Sequence, residues 1–414
     1  LGIQTMTTAF TGQRVALAFA LALSSAATLA APFAQPSRAA IDNSNPVVAG
    51  YRAEASTADL TLMQLDSSAL ASDTQRLEIM LPGNRNIVAL RSDSSYSNDG
   101  TLIWNGYIEG KAVVPVNGGR ADPQDLLNTV TLVKNGDEFA GTLRIDGRLH
   151  KLSSLGRGQH VLAAIDEAKM PPDHPAEYKS LPIGNMGIED GSNRAISTIR
   201  VMVVVTSAAA AKIGNVTNFV NLALSETNTG YTNSGVEISM QLAGVYTTTY
   251  VESGSFSTDL SRFRGTSDGY MDSIHSLRNT NAADVVMLII NNASSCGLAS
   301  AIGATATTAF AAAHYSCSTG YYSFGHEIGH LQSARHDPTN DPTNTPYAYG
   351  HGYQYPAGGW RTIMAYACST GTCNRINYWS NPAKLRSGVP MGTTTRSHNQ
   401  RVLNNTKATM AAFR

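Results

Sequence analysis

Three histidines and a glutamate crowd together in SFGHEIGHLQSARHD, residues 323–337. His326, Glu327 and His330 form His-Glu-x-x-His, and His336 follows six residues after His330. Residues four apart share one face of a helix, so His326 and His330 can offer their imidazoles to a single metal ion with Glu327 beside it. His336 comes too late for that face on a straight helix. The chain must therefore break at about Leu331 to Ser333 and turn back, bringing in a third nitrogen and leaving the fourth tetrahedral position open to water. An open position separates a catalytic zinc from a structural one. The chemistry it points to is hydrolysis, with Glu327 as general base. Ordinary packing or exposure accounts for the isolated His314, His351 and His398, and for His150 and His160.

The elements that must hold this constellation follow a change in pattern near Ala195. TIRVMVVV (residues 198–205) and DVVMLII (residues 284–290) are near-continuous apolar runs, the pattern of strands covered on both faces. Residues 236–245 read as another strand, and residues 208–226 and 260–277 as helices. Two short segments, 297–304 and 309–315, are expected to complete the sheet as edge strands. The metal-site helix should start between Gly320 and Ser323. Asp337, Asn340 and Asp341 form an oxygen-rich patch that offers ligands for Ca2+, but without the regular spacing of a calcium loop a solvated turn is the simpler reading.

Upstream, Arg14 precedes VALAFALAL (residues 15–23) and a run of small residues, the pattern of an export signal over residues 1–34, cut near Ala30 or Ala34. The apolar run is short for a membrane span. Between about Ala53 and Ile165 apolar residues alternate, and Asn135-Gly136 and Asp146-Gly147 are hairpin-turn dipeptides. Residues 35–170 therefore read as an antiparallel β-rich domain. Pro171, Pro172, Pro175 and Pro182 with Gly184, Gly187 and Gly191 then mark a linker over residues 171–194. The fold class expected is α/β (α+β): a mixed twisted sheet over residues 195–414, preceded by the β-rich domain.

The four cysteines, Cys296, Cys317, Cys368 and Cys373, all lie in the second half without zinc-knuckle spacing. In an exported chain an even number reads as two disulfides, and sequence neighbours pair Cys296 with Cys317 and Cys368 with Cys373. Four free thiols would be the reading for a cytosolic chain. Basic and acidic residues balance at 30 each, which gives no electrostatic case for nucleic acid or membrane. Residues 1–194 carry 16 basic and 20 acidic residues, and residues 195–414 carry 14 and 10, so the halves are oppositely charged. A soluble, secreted monomer is expected.

HEIGHLQSARHD, followed some thirty residues on by TIMAY (residues 362–366), resembles the metzincin zinc endopeptidases, with their extended histidine motif and Met-turn. The Asp after the third histidine is similar to reprolysin-type members. The opening apolar strand, the GLA segment after Cys296 and NRINYWSNP from Asn374 are most similar to the bacterial peptidyl-Asp metalloendopeptidases, the Asp-N type. The resemblance covers about residues 195–414 and implies one catalytic zinc on His326, His330 and His336, Glu327 as general base, and Met364 as a floor. It further implies a role for Tyr366 in stabilising the oxyanion, and a substrate shelf at Leu298 and Ala299 on which a protein or peptide is laid as an added strand. Cleavage on the amino side of aspartate would require a cation, and Arg375 is chosen over Lys384, Arg386 and Arg396. One departure stands out: the family's glycine is Ser333 here, where a positive φ costs on the order of 1–2 kcal/mol.

The order signal, β domain, linker, protease reads residues 35–170 as a propeptide and the enzyme's own inhibitor, with a substrate-binding or adhesive β module that stays attached as the rival reading. No cysteine precedes Cys296, so Asp173 or His174 is expected to block the site. Maturation falls between about Gly184 and Ala195, with the bond before Asp190 a self-processing candidate. Two alternatives stay open: an endopeptidase of broad or apolar preference, and a non-catalytic binding module with a structural zinc, for which loss of Glu327 would matter little.

Overall fold

The computed structural model describes residues 32–111, 125–187 and 195–414. The export signal up to residue 31 and the Asp190 bond lie outside the described residues.

Alternation in the first half produces strands β1 (Ala34–Pro36), β2 (Thr57–Leu65), β3 (Arg76–Leu81), β4 (Arg85–Tyr96), β5 (Leu102–Ile108), β6 (Thr129–Asn135), β7 (Glu138–Ile145), β8 (Arg148–Gly156) and β9 (Gln159–Ile165). They form a closed barrel in the order β1-β2-β9-β8-β7-β6-β5-β4-β3. Closure goes beyond the expected antiparallel domain: β1 pairs antiparallel with β2 and parallel with β3. A three-residue strand carries no readable alternation, so its role is decided by partners far along the chain. Closing the sheet leaves no free edge. Leu77, Ile79, Trp104, Leu132 and Leu143 are among the side chains of its core, and the Trp104 indole N–H donates to the Thr74 carbonyl at 2.8 Å. Asp146 and Gly147 both take positive φ in the two-residue turn from β7 to β8, as their types require. Helix α1 (Pro46–Ala53) packs outside the barrel.

The second half builds a five-stranded sheet from β10 (Ser197–Thr206), β11 (Ile238–Thr248), β12 (Val285–Ile290), β13 (Gly297–Ala299) and β14 (Phe310–His314), ordered β11-β10-β12-β14-β13. Every pairing is parallel except β13 with β14. Of the two segments expected as edge strands only β13 is one: β14 lies inside between β12 and β13, with its FAAAH sequence fully buried. The helix expected over 208–226 is two, α2 (Ser207–Ile213) and α3 (Val216–Ser234). Gly214 at φ 77° ends the first, and the Asn215 side chain caps the second by accepting from the Asn218 N–H. The helix expected over 260–277 is likewise α4 (Phe256–Arg264) and α5 (Ser273–Thr280). The intervening Gly265 and Gly269 interrupt it, although Met271 and Ile274 keep their places in the core. Helices α6 (Tyr315–Ser318), α7 (Ser323–Leu331) and α8 (Asn399–Ala411), with a small three-stranded and a small two-stranded sheet, complete the half.

The barrel rests on α3 and on the segment leading into α7. The Thr142 hydroxyl donates to Glu226 at 2.6 Å. Arg144, paired with Glu167 at 2.6 Å, also donates to the Gly320 carbonyl at 2.9 Å. Glu54 lies 3.0 Å from His314. Burial pushes the Glu226 carboxyl up to about 7. Both cysteine pairs form disulfides as expected, Cys296 with Cys317 and Cys368 with Cys373. Among the described residues no helix is long and apolar enough to cross a membrane.

Candidate active site

Helix α7 carries HEIGH through the core, and its packing explains the glycine between the histidines. A Cβ at Gly329 would stand 2.7 Å from the Trp379 ring and 3.1 Å from Met364 Sδ, so only glycine lets the helix lie this close to its floor. Both of those side chains are fully buried. The helix then ends where the sequence requires it to. Ser333 takes φ 75°; its N–H donates to the His330 carbonyl and the Ala334 N–H to the Gly329 carbonyl, each at 2.9 Å. These two bonds make a Schellman cap, with serine in the left-handed position usually given to glycine. The chain reverses there and brings His336 back over the helix.

The outcome is a triangle of imidazole nitrogens. The Nε2 atoms of His326 and His330 are 3.1 Å apart, those of His330 and His336 3.0 Å, and those of His326 and His336 3.2 Å. Nitrogens bound tetrahedrally to one zinc at about 2.0–2.1 Å lie about 3.3–3.4 Å from each other, close to this spacing. Tautomers reinforce the fit. His326 Nδ1 donates to the Ile363 carbonyl at 2.9 Å and His330 Nδ1 to the Ala334 carbonyl at 2.8 Å. Their Nε2 atoms therefore carry lone pairs, which converge with His336 and need a shared cation. Burial keeps the imidazoles neutral, holding His330 down at about 3 and the other two well below the ordinary range. The histidine cluster fits a catalytic zinc, and the site residues for it were all legible in the sequence.

Around the triangle, Glu327 projects toward edge strand β13. A Cβ on Gly297 would lie 2.2 Å from its Oε1, so the strand admits the carboxylate only because glycine stands there. Burial pushes Glu327 up to about 8, with Asp173 adding to the rise and His330 and Arg375 opposing it. The Met-turn, residues 362–366, passes beneath: the Ala365 N–H bonds back to the Thr362 carbonyl at 3.0 Å, and the Tyr366 N–H donates to Asp337 at 3.0 Å. Asp337 thus ties the end of the histidine motif to the turn that carries Tyr366, whose ring lies 4.2 Å from that of His336. The oxygen-rich patch is spent internally, since Asp341 accepts from Arg335 and from the Tyr178 hydroxyl, each at 2.8 Å.

The linker occupies this site. His174 places a ring nitrogen within 4.8 Å of a ring nitrogen of each of the three histidines. It lies 3.1 Å from Glu327 Oε1 and 3.2 Å from the Tyr366 hydroxyl, so it engages both groups expected to handle substrate. The Tyr178 ring covers His336 at 4.2 Å between ring centres. Asp173 meets Arg375 at 2.8 Å and lies 3.8 Å from Arg361. Burial opposes the Asp173 charge, but these two guanidiniums hold its carboxyl below the ordinary value. Arg375, 1% exposed, is no surface residue. Its guanidinium stacks 4.3 Å from the Tyr321 ring centre and donates to the Tyr321 and Ala365 carbonyls, each at 3.2 Å. The alternatives lie elsewhere: Arg386 pairs with Asp125 at 2.7 Å, Arg396 bonds Asn344, and Lys384 is exposed.

At the expected shelf, β13 forms an edge of the five-stranded sheet. The Leu298 and Ala299 side chains are buried in the cores on either side of the sheet, and what the edge offers is backbone. There the Cys296 N–H donates to the Pro172 carbonyl at 2.8 Å and the Gly297 N–H to the Asp173 carbonyl at 3.1 Å. Further along, the Ile302 N–H donates to Pro182 and the Gly184 N–H to the Ile302 carbonyl, both at 2.9 Å. Sequence reasoning missed four supporting residues: Arg361, Tyr321, Tyr178, and His351, whose Nδ1 bonds the His336 carbonyl at 2.8 Å. No spacing rule connects them to the motif, although Arg361 sits one residue before TIMAY.

Comparison with known proteins agrees with this geometry. Residues 195–380 match the description Metallo-peptidase family M12 (Reprolysin_5). The chain is 52% identical over 406 residues to a peptidyl-Asp metalloendopeptidase of Stenotrophomonas maltophilia (strain R551-3), covering 94% of this chain and 95% of that one. Similarity to the protein of the same name from Xanthomonas campestris pv. campestris is 48% over 393 residues, covering 92% of each. A third, from Pseudomonas fragi, is 52% identical over 191 residues, which is 46% of this chain and all of that protein.

Proposed function

This chain belongs to the peptidyl-Asp metalloendopeptidase family, and from that membership and the site's geometry we propose that it is a secreted, zinc-dependent endopeptidase that hydrolyses peptide bonds on the amino side of aspartate. The observation that carries the reading is the conjunction of three converging Nε2 atoms, a buried carboxylate beside them, and a buried Arg375 already paired with a carboxylate 2.8 Å away.

His326, His330 and His336 would hold zinc, which when bound polarises a carbonyl and acidifies water. Glu327 takes the proton from the attacking water and delivers it to the leaving amine, so no covalent intermediate is needed. Tyr366 offers a phenol O–H to the developing oxyanion; burial pushes its pKa up, which keeps it a donor. Once the linker is released, the backbone edge of β13 aligns the peptide as an added strand, and Arg375 receives the aspartate that follows the scissile bond. The barrel and linker act as a propeptide, with His174 as the group that blocks the histidine pole, and maturation releases them by cleavage between about Gly184 and Ala195. The two disulfides accord with an extracellular destination.

The test is cleavage of a peptide library by the secreted protein, with and without a zinc chelator. Cuts before Asp that vanish on chelation support the reading. Cuts without Asp preference favour a broad endopeptidase, and no cuts at all favour a binding module.

A further inference from the structure

The linker does more than cover the histidines. Its Asp173 carboxylate is buried against Arg375 at 2.8 Å, with Arg361 at 3.8 Å. Both cations are organised by one aromatic side chain: Arg375 stacks 4.3 Å from the Tyr321 ring centre, and Arg361 donates to the Tyr321 hydroxyl at 2.9 Å while lying 5.4 Å from the same ring centre. Two guanidiniums converging on one carboxylate in a buried pocket make an aspartate receptor, because desolvation makes an unmatched charge there costly.

The direction of the chain through this receptor explains why the occupant survives. In a substrate cut before Asp, the carbonyl under attack belongs to the residue preceding the aspartate. In the linker it is the following residue, His174, that lies over the histidines and touches Glu327. The preceding carbonyl, that of Pro172, is tied instead to the Cys296 N–H at 2.8 Å. The linker also ascends beside the edge strand, residues 172 and 173 next to 296 and 297 and residue 183 next to 302, in a parallel sense. Prolines at 171, 172 and 175 restrict its backbone, so less freedom is lost on docking.

We infer that Asp173 is a resident mimic of the substrate aspartate, threaded in reverse polarity, and that Arg361, set by Tyr321, is a specificity-determining partner of Arg375. Latency and specificity then draw on the same two guanidiniums. The inference rests on the proposed cleavage before aspartate.

The full-length chain tests it, as wild type, Asp173→Asn, Arg361→Gln and the double variant, with Tyr321→Phe as a milder change should Arg361→Gln fold poorly. Initial rates on quenched peptides bearing Asp or Asn after the scissile bond are measured before and after maturation, and the linker is followed by mass spectrometry. Asp173→Asn is expected to raise the activity of the unprocessed chain about tenfold to a hundredfold, the value of a charged hydrogen bond. Arg361→Gln is expected to compress the Asp-over-Asn preference of the mature enzyme about tenfold and to shrink the effect of Asp173→Asn. The Pro172–Asp173 bond stays intact in the unprocessed wild-type chain. Unchanged latency in Asp173→Asn, effects that simply add in the double variant, or a cut before Asp173 in that chain would each overturn the inference. If the mature wild type shows no preference for Asp, the proposed function itself fails; if the preference stands and Arg361→Gln leaves it unaltered, only this inference falls.

Discussion

Replacing Ser333 by glycine should stabilise the protein without disturbing the metal site. Ser333 sits at φ 75° in the turn that returns His336 to the metal pole, and its buried hydroxyl has no hydrogen-bond partner among the described residues. Relief of left-handed strain is worth about 1–2 kcal/mol. Removing an unsatisfied buried hydroxyl adds about 1 kcal/mol. Against this, glycine gives the unfolded chain extra freedom worth about 0.5–1 kcal/mol. The balance is a gain of about 1–2 kcal/mol, or a rise in Tm of roughly 3–6 °C for a domain of this size. Ser333→Ala separates the two gains: it removes the hydroxyl but keeps the strain, so it should recover only about 1 kcal/mol. Thermal unfolding followed by near-UV circular dichroism, with activity and zinc content measured in parallel, makes the comparison. A Ser333→Gly protein no more stable than wild type, or one that binds zinc tenfold more weakly, would refute the reasoning, because the serine would then be contributing something the cap geometry does not contain.

Three further outcomes are expected. Glu327→Gln keeps the shape of the site and removes the proton acceptor, so kcat should fall by about 10²–10⁴ while zinc content, read by metal analysis, is unchanged. His174→Ala opens the histidine pole while Asp173 stays in its pocket; the unprocessed chain should gain activity on short peptides, and continued latency would mean that His174 is a bystander. Buried His160 accepts the Phe139 N–H at 3.0 Å and is held down at about 4 by burial, against 6.5 ordinarily. The unfolded chain therefore binds its proton first as pH falls through 6.5, so this group removes stability between about pH 6.5 and pH 4, by about 2 kcal/mol at pH 4.5. Urea titrations of wild type and His160→Gln at pH 7 and pH 4.5 should show that much less acid sensitivity in the variant, and equal sensitivity would contradict the assignment.

Much of the catalytic half could be read before any coordinates. The buried strands β10 and β12 announce themselves as unbroken apolar runs, and His-Glu-x-x-His works at a fixed helical spacing that sequence alone measures. Even the helix end was legible, since a third ligand six residues on forces a reversal, and Ser333 carries the positive φ that the reversal requires. The paired helices α2–α3 and α4–α5 were not, because apolar periodicity continues across Gly214 and Gly265 while the backbone does not. Barrel closure was hidden for a different reason: the closing strand β1 has three residues, and its partners are fixed by the whole sheet's curvature.

What the sequence determined by itself is the chemistry of the motif: three imidazoles and a carboxylate whose separations along one helix and one turn are local quantities. What only the tertiary structure decided is how groups distant in the sequence reach that motif and which contacts they make there. Arg375 lies 202 positions from Asp173, and His174 lies 153 from Glu327, yet each pair meets within hydrogen-bonding range. Such contacts depend on how the linker crosses edge strand β13 and how Tyr321 orients two arginines. Those arrangements follow from burial and chain reversal over the whole fold, and no spacing in the sequence encodes them.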